Sequence, residues 1–315
     1  MKKIKDDLAF AEKKTITSLY KKRANVTESL HPVILLIYFA GMAAITMVTL
    51  NPVLLCVSFF GAVFCTGMLT GLRKLLSSLA FSVPVMVIIA VINPIFVHKG
   101  ETILFFLNDN PVTLEAIMYG AATAVMIMSV FYWFKCYSIV MTSDKIVFLF
   151  GRVAPRISLV LSMTLAFVPK LIKQYKKISA VQKAMGMYTS KSITDRILSR
   201  FRIISALIGW ALESSVETAD SMNARGYGLK GRSSYAVYFW TRRDMSVFIF
   251  LILVFAAVIT GMCFSAQTAY YPVFTAIDIS PVSLVSYAAL ALLSMFAAVF
   301  EVQENIKWRL SVSRV

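Results

Sequence analysis

The sequence predicts an all-α polytopic membrane protein of about six transmembrane helices, with a large cytoplasmic helical domain inserted between spans four and five. Three observations carry that expectation. Hydrophobic residues make up 58% of the 315-residue chain and the mean hydropathy is +0.74, above the roughly 45–50% apolar content of soluble domains. Apolar runs of about 20 residues, long enough to cross a hydrocarbon core as helices, recur along the chain. Basic residues, finally, are confined to alternate connections between those runs.

The runs are 33–50, 52–70, 78–97, 113–134, 246–265 and 281–300. The first two are separated at Asn51-Pro52, where Pro disfavours continued helix and Asn favours a turn. Asn93-Pro94 marks a terminus or kink near the end of the third. A short turn with Pro272, Asp278 and Pro281 separates the last two. Of 32 Lys and Arg, 8 lie in residues 1–30, 2 in 70–77, 18 in 135–243 and 3 in 301–315, leaving Lys99 alone. With an even number of spans, all four basic segments share one face, and the positive-inside rule makes that face cytoplasmic. The expected organisation is a basic cytoplasmic arm (1–30), spans one to four (31–135), a cytoplasmic domain (136–243), spans five and six (244–300) and a cytoplasmic tail (301–315).

The net charge of +16 follows from this topology and from attraction to anionic lipid, worth about 1 kcal/mol per Lys or Arg. Nucleic acid is excluded as a partner, because no aromatic stacking residues or recognition fold accompany the charges. The first 30 residues lack the apolar core and cleavage site of a signal peptide and read as a cytosolic arm or a surface-lying helix. Cys56, Cys65, Cys136 and Cys263 form no CxxC pair and read as core thiols rather than a metal or disulfide framework.

A block of about a hundred residues is too long for a structureless loop, and it divides into three helical pieces. The first, 156–188, runs through ISLVLSMTLAFV, passes Pro169 and continues as KLIKQYKKISAVQKAMGM. Its first half is too short to span and is expected at the interface. After a break at Gly186, the second piece starts near Thr194, a plausible N-cap with Asp195 in the first turn. It runs to Met222, with a possible interruption at Gly209. Ile204, Ile208, Ala211, Ser215, Ala219 and Met222 recur at three- and four-residue intervals on one face. The small centre of that stripe (Ala211, Ser215, Ala219) suits a close helix–helix crossing or an ordinary core face. The helix stops at Gly226, with Gly228 beyond. Arg225 therefore suits the negative end of the helix dipole, but Ala224 before it and Gly226 after it also leave its guanidinium protruding from a narrow tip. The third piece, 229–243, carries Tyr235, Tyr238, Trp240, Arg242 and Arg243 as an interfacial belt.

Catalysis finds little footing. Glu213, Glu217 and Asp220 have no histidine or nucleophile beside them, and His31 and His98 lie on opposite membrane faces. Glu115 reads as an N-terminal charge of the fourth span. The phosphate-cradling GxxxxGK[ST] sequence is absent, so ATP hydrolysis is not expected. No catalytic residue, metal ligand or cofactor is assigned.

Several strings nevertheless resemble the transmembrane T component of energy-coupling factor (ECF) transporters, a branch of the ABC transporters. These are HPVILLIYF, NPIFVHKGETILFFLNDNPVTLEAIMYG and APRISLVLSMTLAFVPK, and most specifically ALESSVETADSMNARGYGLKGR; together the likeness runs from about residue 29 to 245. The resemblance implies a non-enzymatic subunit of a bacterial cell-membrane importer. It would pass ATP-driven movement of two cytosolic ABC ATPases to a substrate-binding membrane S component that takes up a vitamin, micronutrient or metal ion. Two crossing coupling helices would each end in an Ala-Arg-Gly-like ATPase-docking tip. By position these tips are Ala184-Met185-Gly186 and Ala224-Arg225-Gly226, with Met185 where the pattern often has Arg. The alternative reading is a self-sufficient secondary transporter or channel, for which Asn51-Pro52 and Asn93-Pro94 would be echoes of broken helices.

Overall fold

The computed structural model describes residues 30–97, 100–107, 110–186, 193–229, 238–264, 270 and 280–312. Nearly all of this is helix: α1 (Pro32–Val48), α2 (Pro52–Thr70), α3 (Leu72–Phe96), α4 (Leu114–Val140), α5 (Ser143–Val153), α6 (Pro155–Ala184), α7 (Ile193–Ala224), α8 (Arg242–Phe264) and α9 (Pro281–Val312). One short hairpin, β1 (Ile103–Leu107) with β2 (Asn110–Thr113), joins α3 to α4. The chain divides into two compact units, one of residues 1–142 with 240–315 and one of residues 143–239. The basic arm up to residue 29, His98, Lys99, Tyr235, Pro272 and Asp278 lie outside the described residues.

Local chemistry sets the helix boundaries in the first unit. Pro52 opens α2 while the Asn51 side chain accepts from Val53 N at 3.0 Å, so the Asn-Pro break is an N-cap followed by a first-turn proline. Asn51 Nδ2 also donates to Tyr287 Oη at 2.9 Å, tying that corner to α9. His31 caps α1 through Nδ1, which accepts from Val33 N at 3.3 Å. Asn93-Pro94 does not end a helix: α3 continues to Phe96 and contains both Pro84 and Pro94.

The six apolar runs read from the sequence fall on α1, α2, α3, α4, α8 and α9, in an all-α polytopic membrane protein. Among the described residues five helices are long and apolar enough to cross a membrane: α2, α3, α4, α6 and α8. α1, with 17 residues, and Pro281–Ala297 of the 32-residue α9 are further apolar helices. α6 meets the length and composition criterion because its helix continues unbroken through Pro169 for 30 residues, so its apolar first half is not a separate short segment.

α4 is the centre of the first unit and packs against α1, α2 and α3, while α9 packs on α2 and α8. Without a hydrophobic drive between helices in lipid, close approach depends on small residues. Ala116, Gly120 and Ala124 supply it on α4; a Cβ on Gly120 would sit 2.6 Å from the Ala90 carbonyl oxygen of α3. Gly61 of α2 and Gly261 of α8 meet Ser294 and Ser286 of α9 just as tightly.

Inside the bundle runs a chain of hydroxyls. Thr46 Oγ1 donates to the Met42 carbonyl at 2.7 Å, so at its 2.7 Å contact with Ser58 the serine is the donor. Ser58 Oγ then accepts twice, from Ser129 Oγ and from Trp133 Nε1, both at 3.0 Å. All four side chains are fully buried, and every polar hydrogen among them has an acceptor, which low-dielectric surroundings demand. Trp133 in turn packs edge-on against Tyr38.

Of the four cysteines, Cys65 and Cys136 are core thiols, whereas Cys56 and Cys263 are exposed on the bundle surface, and none of the four is in a disulfide. That corrects the expectation of four core thiols, since apolar neighbours in sequence also line the outside of a membrane bundle.

In the second unit, α5 packs on α6, and Ser158 Oγ donates to the Val147 carbonyl at 2.9 Å. α7 is uninterrupted at Gly209, where the helix tolerates a glycine with open space around it. It is described from Ile193, so Thr194 lies within its first turn rather than at the cap. Residues 238–241, within the expected third helical piece, are not helical, and α8 begins at Arg242. There Thr241 and Asp244 cap each other: Asp244 Oδ2 accepts from Thr241 N at 3.1 Å and from Thr241 Oγ1 at 2.7 Å, and Asp244 N donates to Thr241 Oγ1.

Candidate docking site at the helix tips

α6 and α7 are long helices of the same compact unit, and they end in the same way. At the end of α7, Gly226 adopts φ +81°, Gly226 N donates to the Asn223 carbonyl and Tyr227 N to the Met222 carbonyl, each at 3.0 Å. Those two bonds, from the residue after the cap and the one beyond it, define a Schellman ending with glycine in the left-handed position. At the end of α6, Gly186 has φ +73° and its N–H donates to the Lys183 carbonyl at 3.1 Å. Ala184-Met185-Gly186 and Ala224-Arg225-Gly226 thus occupy equivalent places: last helical residue, cap, left-handed glycine.

This geometry explains the composition of the triplets. Glycine is needed where φ is positive, and at Gly226 a Cβ would also meet Leu229 Cδ1 at 2.9 Å. The cap residue points away from the helix body: Met185 is 69% exposed and Arg225 is exposed. Among the described residues no acid pairs with Arg225, so its five guanidinium hydrogens are available to a carboxylate or to carbonyls. Gly226→Ala should cost about 1–2 kcal/mol of local stability at this ending. Faster amide exchange confined to residues 222–229, with the bundle unchanged, is the expected result; unchanged exchange there would show that the ending needs no glycine.

The rest of the predicted site is arranged differently. The contact between α6 and α7 includes Phe167 stacked on Trp210, with ring centroids 5.8 Å apart and planes at 10°. Ala211, next to Trp210, is half-buried, but Ser215 and Ala219 are exposed and Ser215 Oγ donates to the Leu212 carbonyl. Among the described residues, Ser215 and Ala219 of the stripe thus stand open on the surface of α7. Sequence reasoning missed the aromatic stack, because a lone Phe and a lone Trp on separate helices carry no spacing signal. Exposed Ile204 and Ile208, read from the sequence as part of one face, continue on α7 into Phe201, Leu212 and Val216, which that reading left out and which are exposed as well. Their three- and four-residue spacing was the available sign.

Glu115 lies in the first turn of α4, as its position in sequence suggested, with Thr113 as N-cap. It is buried, and Oε1 accepts from Thr102 Oγ1 at 2.6 Å and from Thr102 N at 3.3 Å. The carboxylate thereby fastens the residue before β1 to the start of α4. Gly100, at φ +138°, leaves room for it, since a Cβ there would lie 2.5 Å from Oε2.

Comparison with known proteins bears on these features. A family model described as CbiQ, cobalt transport protein, matches residues 23–236, more than half of the chain. The energy-coupling factor transporter transmembrane protein EcfT of Bacillus subtilis (strain 168) is 34% identical over 102 residues, covering 32% of this chain and 38% of that protein. The Listeria innocua serovar 6a protein of the same name is 29% identical over 191 residues, 57% of this chain and 70% of its own length. The one in Lactobacillus helveticus (strain DPC 4571) is 33% identical over 101 residues, covering 31% and 36%. The matched part therefore spans well under half of two of these three relatives.

Proposed function

We propose a role for this chain from one premise: it belongs to the CbiQ cobalt transport protein family and is a T component of the energy-coupling factor type. Its role is to couple two cytosolic ABC ATPases to a substrate-binding membrane S component, and it catalyses no reaction itself. The observation that carries the proposal is the pair of equivalent endings at Gly186 and Gly226, each presenting an exposed cap side chain.

In this reading Ala184, Met185, Gly186 and Ala224, Arg225, Gly226 seat in grooves of the two ATPases. An Arg at one tip and a Met at the other offer different chemistry: a guanidinium for a carboxylate-lined groove, a flexible thioether for an apolar one. Two non-identical ATPases fit that difference. Ala211, Ser215 and Ala219, with the exposed apolar run of α7, form the face for the membrane partner, where small side chains allow a foreign helix to approach closely. Both termini and residues 136–243 face the cytoplasm, and the site of action is the bacterial cell membrane. The cargo is a vitamin, a micronutrient or a metal ion, selected by the S component.

Purification of the tagged chain from its native membrane, with identification of every bound subunit, tests the proposal. Two ATPases and at least one small membrane protein are expected. Transport by the purified chain alone in liposomes would instead establish a self-sufficient transporter.

A further inference from the structure

Lys135 of α4 is a half-buried ammonium inside the bundle wall. Its Nζ donates to Ser78 Oγ of α3 at 2.6 Å and lies 5.8 Å from the Tyr132 ring centroid. Among the described residues no carboxylate pairs with it. Ser78 Oγ, which accepts this bond, has no acceptor for its own hydrogen among those residues. An ionisable group at membrane depth is expensive without a counter-charge, so this place lacks an anion.

Its depth is fixed twice. The apolar run of α3 starts at residue 78, and that of α4 stops at residue 134. The Lys135–Ser78 contact therefore marks the boundary between hydrocarbon and head groups on both helices. One helical turn before Ser78, on the same face of α3, is Lys74, with Arg73 beside it; both are exposed and without an acid partner among the described residues. The first-turn amides of α3 add to this positive end, since Gly71 provides no side-chain cap. In the other direction the same face continues as Phe81, Ile88 and Ile92, which are 70%, 56% and 47% exposed and recur at helical spacing.

We propose that the exposed face of α3 beside Lys135 of α4 is a binding site for an anionic phospholipid. Lys135, Lys74 and the Ser78 hydroxyl hold the phosphate, and an acyl chain lies along Phe81, Ile88 and Ile92. A free anion has no use for the apolar part of this surface. A zwitterionic lipid brings its own cation and leaves Lys135 less well neutralised. Basic groups between transmembrane helices at the head-group level are a general means of selecting anionic lipid.

The test uses the full chain in neutral detergent, titrated separately with phosphatidylglycerol, phosphatidylcholine and inorganic phosphate. Bound lipid is followed by native mass spectrometry and the thermal midpoint is recorded in parallel. Phosphatidylglycerol is expected to bind and to raise the midpoint. Lys74→Gln and Lys135→Gln should each weaken that binding about fivefold or more, while Lys135→Arg, which keeps the charge, should retain it. If Lys135→Gln does not fold, the exposed Lys74→Gln and the Lys135→Arg variants still decide the matter. Equal binding of phosphatidylcholine, undiminished phosphatidylglycerol binding in Lys74→Gln, or the whole midpoint shift from inorganic phosphate would each overturn the proposal.

Discussion

Arg225→Glu is expected to leave the chain folded and inserted but to release at least one ATPase when the complex is captured in detergent. The substitution reverses a charge that no described residue neutralises, at an exposed cap whose backbone bonds run between main-chain atoms alone. Folding should therefore be indifferent to it. Docking should not be: truncating one member of a desolvated charge pair costs about 2–5 kcal/mol, and reversing it adds repulsion. Met185→Glu makes the companion experiment. If the Met tip sits in an apolar groove, a carboxylate there loses the second ATPase through desolvation. Retention of both ATPases with full uptake in Arg225→Glu would remove this residue from the coupling path.

The second large effect lies in the bundle. Ser58→Ala should lower stability by about 1–3 kcal/mol, because it leaves the buried Trp133 N–H and Ser129 hydroxyl without their acceptor. Thr46→Val should cost less, since it strands only the Ser58 hydrogen, and the Met42 carbonyl keeps its helical partner. Hydrogen bonds inside membranes average well below this range, so the size of the Ser58 effect rests on its acting as a double acceptor. Thermal unfolding in detergent of the two variants beside the parent measures the order. A Thr46→Val loss equal to that of Ser58→Ala would mean that the hub role is misassigned.

How far the chain could be read in advance depended on whether the information was local. Asn51-Pro52, Thr113 and Gly226 act on their own segment, and each stands at the element boundary that local chemistry suggests. The Ala-X-Gly endings were legible for the same reason. The hairpin was harder to see, because ILFFL and NPVT are too short and too apolar to tell from the helices around them. α5 carries no boundary residue stronger than Ser143, and it precedes the three helical pieces expected in that block, the first of which starts at 156. The small-residue rule applies at more places than the stripe on α7. Close approach occurs at Gly120, Gly61 and Gly261, where another helix passes, whereas Ser215 and Ala219 are exposed. Spacing shows that a face is narrow, but only the fold shows what stands opposite it. Ser58 was invisible for that reason too, since its three partners come from α1 and from two turns of α4.

The glycine endings of α6 and α7 separate two kinds of selection. The conformation of each tip is held by main-chain bonds and by a residue without a side chain, so it does not depend on which amino acid occupies position 185 or 225. Each tip is a holder with an exchangeable bit. On the proposed docking role, either side chain can be exchanged to suit a different partner without changing how its tip folds, and at one tip independently of the other. Arg at one ending and Met at the other show two different side chains carried on the same kind of ending.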